Sequence, residues 1–158
     1  GTATREDILA GFANSDEFFS LCERYDVVSG TYLVGVSYDS QSKINAFVTR
    51  LYKVCLNSLP DQAGQAGWVS KLINGEITET DCVFGFVFSP EFVGKDSSNT
   101  EYVEYMYEAF FGREADEEGF NYWVGQLDNG TASREDIFNG FAGSVEFDNF
   151  CSSVGTNV

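Results

Sequence analysis

The sequence predicts an all-α protein: tandem four-helix repeat units packed side by side, with a short extended strap between an initial half unit and the first full unit. Three observations predict it. Residues 1–22 (GTATREDILAGFANSDEFFSLC) align without a gap on residues 130–151 (GTASREDIFNGFAGSVEFDNFC), and a weaker copy begins at Gly75. Two longer stretches, about Ile44–Val93 and Asn99–Asp148, align at an offset of 55. Inside them apolar residues recur at helical spacing and capping residues stand at fixed places. Repeats at a fixed offset mark a unit packed against its own copies. The expected organisation is the C-terminal half of a unit at 1–22, the strap at 23–42, unit one at 43–96, unit two at 97–151, and the start of a further strap or tail at 152–158.

Each unit reads as four helices. The first carries Ile44, Phe47, Val48, Leu51, Tyr52 and Cys55 on one face, matched in the second unit by Val103, Met106, Tyr107, Phe110 and Phe111; the period is near 3.6. The second helix starts at Asp61 or Asp116, an N-cap residue type, and ends at Asn74-Gly75 or Asn129-Gly130. It places Trp68 with Leu72, and Trp123 with Leu127, four apart and so on one face. The third opens with Thr4-x-x-Asp7, Thr78-x-x-Asp81 or Ser133-x-x-Asp136, a capping box with Asp in place of Glu. The Gly-Phe pair late in it predicts a close helix approach. The fourth is short and capped by Ser15, Ser89 or Ser144, with Pro90 at its first position and Glu17, Glu91 or Glu146 facing the helix dipole. The strap, with Val27-Val28, Tyr32-Leu33-Val34 and Tyr38, is too apolar for a free linker; it reads as an extended segment on the neighbouring helices, with a short strand pair as one form.

Composition narrows the function. The formal net charge is −16, and residues 95–158 hold 13 acids against 3 bases. Such a field repels phosphate backbones and anionic membranes, so no nucleic-acid partner is expected. No apolar run approaches the ~20 residues of a membrane span, so no membrane insertion is expected. There is no histidine. Ser–His and Cys–His nucleophiles and the usual zinc sites are therefore excluded, and the four Cys are too scattered for a four-Cys site. The acids that stand out recur in every copy, where capping accounts for them. A non-enzymatic role is expected.

The motifs resemble the DUF4214 family of tandem domains. Its hallmarks stand here as Phe47-Val48-x-x-Leu51-Tyr52, Asp61-x-x-Gly64-x-x-x-Trp68-x-x-x-Leu72-x-x-Gly75 and Gly85-Phe86-x-x-Ser89-x-Glu91-Phe92. They recur as Tyr102, Val103, Met106 and Tyr107, Asp116-x-x-Gly119-x-x-x-Trp123 and Gly140-Phe141-x-x-Ser144-x-Glu146-Phe147. The resemblance implies a bacterial, secreted or cell-surface protein, often with other repeats or carbohydrate-active modules beside it. It carries no activity and no site residues. The expected role is a spacer, scaffold or adhesion module with another protein or a cell-surface glycan as partner.

The candidate site residues are those that break the repeat. Tyr122 stands where the first unit has Gly67, Phe120 where it has Gln65, and Tyr105 where it has Arg50; Tyr32 and Tyr38 lie in the strap. These five are the candidate glycan-stacking surface. Trp68 and Trp123 occupy one repeat position and read as core. Asp116, Glu117 and Glu118 are the candidate Ca²⁺ ligands, against an N-cap with two acids on the helix dipole. Cys55 aligns with Phe110 and Cys82 with Ile137, both core positions, so the pair are candidate neighbours for a disulfide or for buried thiols. Cys22 and Cys151 share one repeat position and are not expected to pair within the chain. The half unit at 1–22 lacks its own tryptophan helix; it is expected to pack on the strap and the next unit, with end-to-end self-contact as the alternative.

Overall fold

A helix needs a side chain to accept its first free N–H groups, and this chain supplies one at nearly every start. The computed structural model describes residues 3–24, 30, 31, 33 and 36–154. Those residues form α1 (Arg5–Ala13), α2 (Asp16–Arg24), α3 (Tyr38–Leu56), α4 (Gln62–Ile73), α5 (Glu79–Val87), α6 (Pro90–Val93), α7 (Asn99–Phe111), α8 (Glu117–Asp128), α9 (Arg134–Ala142) and α10 (Val145–Val154). The three expected capping boxes all close, at Thr4/Asp7, Thr78/Asp81 and Ser133/Asp136, and Ser98/Glu101 adds a fourth at α7. Each acid accepts from its cap residue, and those bonds hold the carboxyls of Asp7, Asp81, Asp136 and Glu101 below their ordinary range.

The expected apolar faces are buried. Ile44, Phe47, Val48, Leu51 and Cys55 of α3 join Val103, Met106, Tyr107 and Phe110 of α7 in one continuous core. It also takes in Val83 and Phe86 of α5 and Ile137, Phe138 and Phe141 of α9. Helix α3 is the hub: it packs on α4, α5 and α6 and also on α7 and α10. Helix α7 in turn packs on α8, α9 and α10.

Two boundaries differ from the sequence expectation. Helix α3 begins at Tyr38, so residues 38–42, expected in the strap, are its first turns. Asp39 sits in that first turn and pairs with Lys43 at 2.8 Å, an i,i+4 contact that supports the extension. Helix α10 runs on to Val154, past the expected unit end at Cys151. The added turn buries Val154, and the Phe150 ring lies 5.1 Å from Phe47 of α3. Its counterpart α6 stops at Val93, where Gly94 caps it and Asp96 turns left-handed at φ 50°.

Among the described residues there is no strand. The described part of the segment before α3 is instead held to that helix by amides. Asn45 accepts from the Thr31 N–H at 2.7 Å and donates to the Thr31 carbonyl at 2.8 Å. Gln41 accepts from the Leu33 N–H and donates to the carbonyls of Leu33 and Val36, each at 2.9 Å. Two buried amides thus satisfy backbone groups that a strand partner would otherwise have to meet.

Candidate functional site

The repeated motif residues are placed by close packing on glycine. A Cβ built on Gly64 would stand 2.5 Å from the Tyr52 hydroxyl, and one on Gly119 would stand 2.1 Å from the Tyr107 hydroxyl. The same glycines donate their N–H groups to Asp61 and Asp116, at 2.7 and 2.8 Å, so each Asp-x-x-Gly both caps a helix and seats a tyrosine. The Gly-Phe pair seats the tryptophan. A Cβ on Gly85 would meet Cη2 of Trp68 at 2.7 Å, and one on Gly140 would meet Cη2 of Trp123 at 2.7 Å. Phe86 completes the first seat, 5.1 Å from the Trp68 ring and 4.9 Å from Tyr52. Phe141 completes the second, 5.5 Å from Trp123 and 4.9 Å from Tyr107. Both tryptophans are half-buried against the core, as expected of repeat-invariant aromatics.

The described repeat-breaking aromatics do not gather on one surface. Tyr122 is 57% exposed on α8 and packs edge-on against Trp123, with centroids 4.9 Å apart. Phe120, two residues earlier, is half-buried and packs against the core. Tyr105 of α7 lies 5.3 Å from Phe92, with the Lys95 ammonium 5.3 Å from its ring, in a different neighbourhood. Tyr32 lies outside the described residues; Tyr38 opens α3, and its side chain is likewise outside them.

The acidic trio is engaged by the helix it starts. Asp116 caps α8 through the Gly119 N–H, which lowers its carboxyl, and stands 3.6 Å from Arg113. Glu117 and Glu118 follow in the first turn. Among the described residues no three side chains of the metal-binding types come together.

The match to known families decides what these motifs are. Two segments, residues 35–96 and 89–151, match the model of the family described as domain of unknown function (DUF4214). The chain belongs to the DUF4214 family. The two DUF4214 matches meet at residues 89–96, the stretch of α6 and the turn after it. No curated protein and no solved structure matches the chain.

In this DUF4214 pair the cysteines are free thiols. Cys55 and Cys82 are fully buried; burial pushes the Cys55 thiol up to about 12 and raises Cys82 as well, with Glu79 and Cys55 adding to the rise at Cys82. Cys22 is buried and Cys151 half-buried. Glu79, at the first turn of α5, is buried, and its Oε1 meets no hydrogen-bond partner. Burial raises its carboxyl.

Among the charged residues, Arg50 reaches from the first DUF4214 segment to the second, while Arg113 and Arg134 bond within the second. Arg50 of α3 donates from Nε to the Ala109 carbonyl at 3.2 Å and from Nη2 to the Phe110 carbonyl at 3.1 Å. These are end carbonyls of α7, which lack a partner inside their own helix. The guanidinium also stands 5.2 Å from the rings of Phe47 and Phe150. Gly112 turns the chain there at φ 66°, and a Cβ on it would meet Arg50 at 2.6 Å. Arg113 makes a two-pronged pair with Glu146, both bonds 2.8 Å, and Arg134 lies 4.7 Å from the Tyr102 ring while donating to the Ser97 carbonyl. The sequence signal for the Arg50 contact is the break in the repeat at Arg50/Tyr105.

Proposed function

We propose that this chain is a non-enzymatic repeat module of a bacterial secreted or cell-surface protein, built of four-helix units and serving as spacer, scaffold or adhesion repeat. One observation carries this reading: the repeated Asp, Trp and capping-box residues are occupied in capping and packing. Asp61 and Asp116 cap, Trp68 and Trp123 fill glycine seats, and the capping-box acids are bonded to their own caps. In this reading α3–α6 and α7–α10 are the two units, joined through α3, and α1–α2 are the second half of another. A chain of such units holds its neighbours at a fixed spacing through nearest-neighbour contacts. Fractionation of the producing cells tests the location: recovery in the culture medium or on the surface is expected, and confinement to the cytosol would overturn it.

A second reading, a carbohydrate-binding module, has one observation in its favour. Tyr122 exposes an aromatic ring beside the half-buried Trp123, the combination of flat ring and rigid backing on which a sugar face stacks. A glycan array and polysaccharide pull-down with the chain and with Tyr122→Ala separate the two. The spacer reading expects no retention of either protein. Retention lost in Tyr122→Ala would sink it in favour of glycan binding.

A further inference from the structure

The residues of α1 that correspond to core positions elsewhere face solvent. Ile8, Leu9 and Phe12 are 64%, 62% and 67% exposed. Their counterparts Cys82, Val83 and Phe86 in α5, and Ile137, Phe138 and Phe141 in α9, are all at 3% or below. The capping box that starts α1 is as complete as the other two, so the helix itself is formed and its apolar side is what lacks a cover. Among the described residues, α1 packs on α2, and Phe12 meets Phe18 at 5.9 Å.

The two covered copies show what fits. In each, the glycine before the phenylalanine has a tryptophan edge pressed onto it, and the phenylalanine meets a tyrosine from the first helix of the unit. Gly11 stands at that glycine position, and a Cβ built on it would meet nothing within 4 Å. The shape complementary to a tryptophan is therefore present at Gly11-Phe12, with no tryptophan in it.

We propose that the exposed side of α1 is a docking surface for a helix pair of this same repeat type, entering with its tyrosine against Phe12 and its tryptophan against Gly11. The chemistry is that of α3–α4 on α5 and of α7–α8 on α9, already seen twice in this chain. A second copy of the chain is a poorer occupant, because its Trp68 and Trp123 are already seated on Gly85 and Gly140 and would have to leave them. The inference deepens the repeat-module reading by naming the contact through which a neighbouring unit joins.

A fusion tests it. Residues 97–129, which carry α7, α8 and Trp123, are placed directly ahead of Gly1, the residue that aligns with Gly130. Backbone hydrogen exchange in α1 is then compared with that of the unfused chain. The expected result is slowing in residues 5–13 by at least about tenfold, abolished by Gly11→Leu within the fusion and by Trp→Ala in the added segment. Gly11→Leu in the unfused chain leaves exchange and Tm as they were, which shows that the variant folds. Unchanged exchange in the fusion, or slowing that survives Gly11→Leu, would overturn the proposal. So would concentration-dependent dimerisation of the unfused chain abolished by Phe12→Glu, since a second copy would then be the occupant. Failure of the fusion leaves the spacer reading standing, whereas glycan retention lost in Tyr122→Ala removes that reading and not the docking surface.

Discussion

Replacing Arg50 by methionine removes the guanidinium that ties α3 to the end of α7 while keeping most of the apolar stem. Two charge-assisted bonds, to the Ala109 and Phe110 carbonyls, go with it; such bonds contribute about 2 kcal/mol each. Two ring contacts at 5.2 Å, to Phe47 and Phe150, contribute about 1 kcal/mol each when partly desolvated. Against this stands the cost of burying the cation. Burial lowers the Arg50 guanidinium from its ordinary value to about 10, which corresponds to roughly 3 kcal/mol regained on removing it. The net expectation for Arg50→Met is a loss of about 3 kcal/mol. Arg50→Lys should lose about half as much, since an ammonium cannot bond two carbonyls in the planar fork. Urea denaturation followed by circular dichroism and by tryptophan fluorescence measures the change, with an unaltered slope showing that the same surface unfolds. A loss below about 0.5 kcal/mol for Arg50→Met would refute the claim that this residue joins the two units.

Thr78→Ala should cost about 1 kcal/mol at neutral pH by opening the capping box of α5. The Thr78 backbone and hydroxyl hold the Asp81 carboxyl below its ordinary value; the hydroxyl's share is present above the unfolded carboxylate value and lost as pH falls through the folded one, so the gap between the urea midpoints of the two proteins should narrow in acid. Glu79→Gln should behave oppositely: burial raises the Glu79 carboxyl, so its ionisation costs the native chain stability from the unfolded value of 4.5 upward, and the variant should gain on the wild type as pH rises through that window. Gly140→Ala places a methyl 2.7 Å from Trp123 and should lower stability by about 1 kcal/mol despite its gain in helix propensity, whereas Gly11→Ala, with nothing nearby, should not lower it; thermal melts of the pair measure both. Cys55 and Cys82 should resist alkylation at pH 8 in the folded chain and react once urea is added, as read by mass spectrometry of the labelled peptides.

Much of the fold was legible because helix starts are local chemistry. Thr4, Thr78 and Ser133 with their Asp partners, and Ser89 with Pro90, fix where helices begin within a few bonds along the chain. Apolar spacing gave the buried faces of α3 and α7 for the same reason. The start of α3 was not legible, because Ser37 makes no side-chain cap and Gln41 and Asn45 also reach back off the helix to Thr31, Leu33 and Val36. The extra turn of α10 was hidden too, since it rests on the burial of Val154 and on the bond from Lys43 to the Ser153 carbonyl, 110 residues away in sequence.

At the candidate site the repeat was a sound guide to one half of the question. Residues kept in both units build the unit itself: Asp61 and Asp116 cap, Gly64 and Gly119 admit tyrosines, Gly85 and Gly140 admit tryptophans. Aromatics that break the repeat were expected to form a ligand surface; Tyr122 is exposed, whereas Phe120 packs against the core and Tyr105 on Phe92. Other breaks in the repeat serve a different end. Two units joined in tandem share an interface that is not symmetric, so the residues on its two sides cannot be alike. Arg50 stands where the second unit has Tyr105, and it is Arg50 that reaches across to the carbonyls of α7. Phe84 stands where the second unit has Asn139, and its ring meets Phe138 of α9 at 5.7 Å. Lys43 stands where the second unit has Ser98, and it donates to the Ser153 carbonyl of α10 at 3.1 Å. A break in the repeat therefore marks first the surface where one copy meets the next. Tyr122, exposed on α8 with its ring against Trp123 of the same helix, is the break that the Tyr122→Ala glycan array tests.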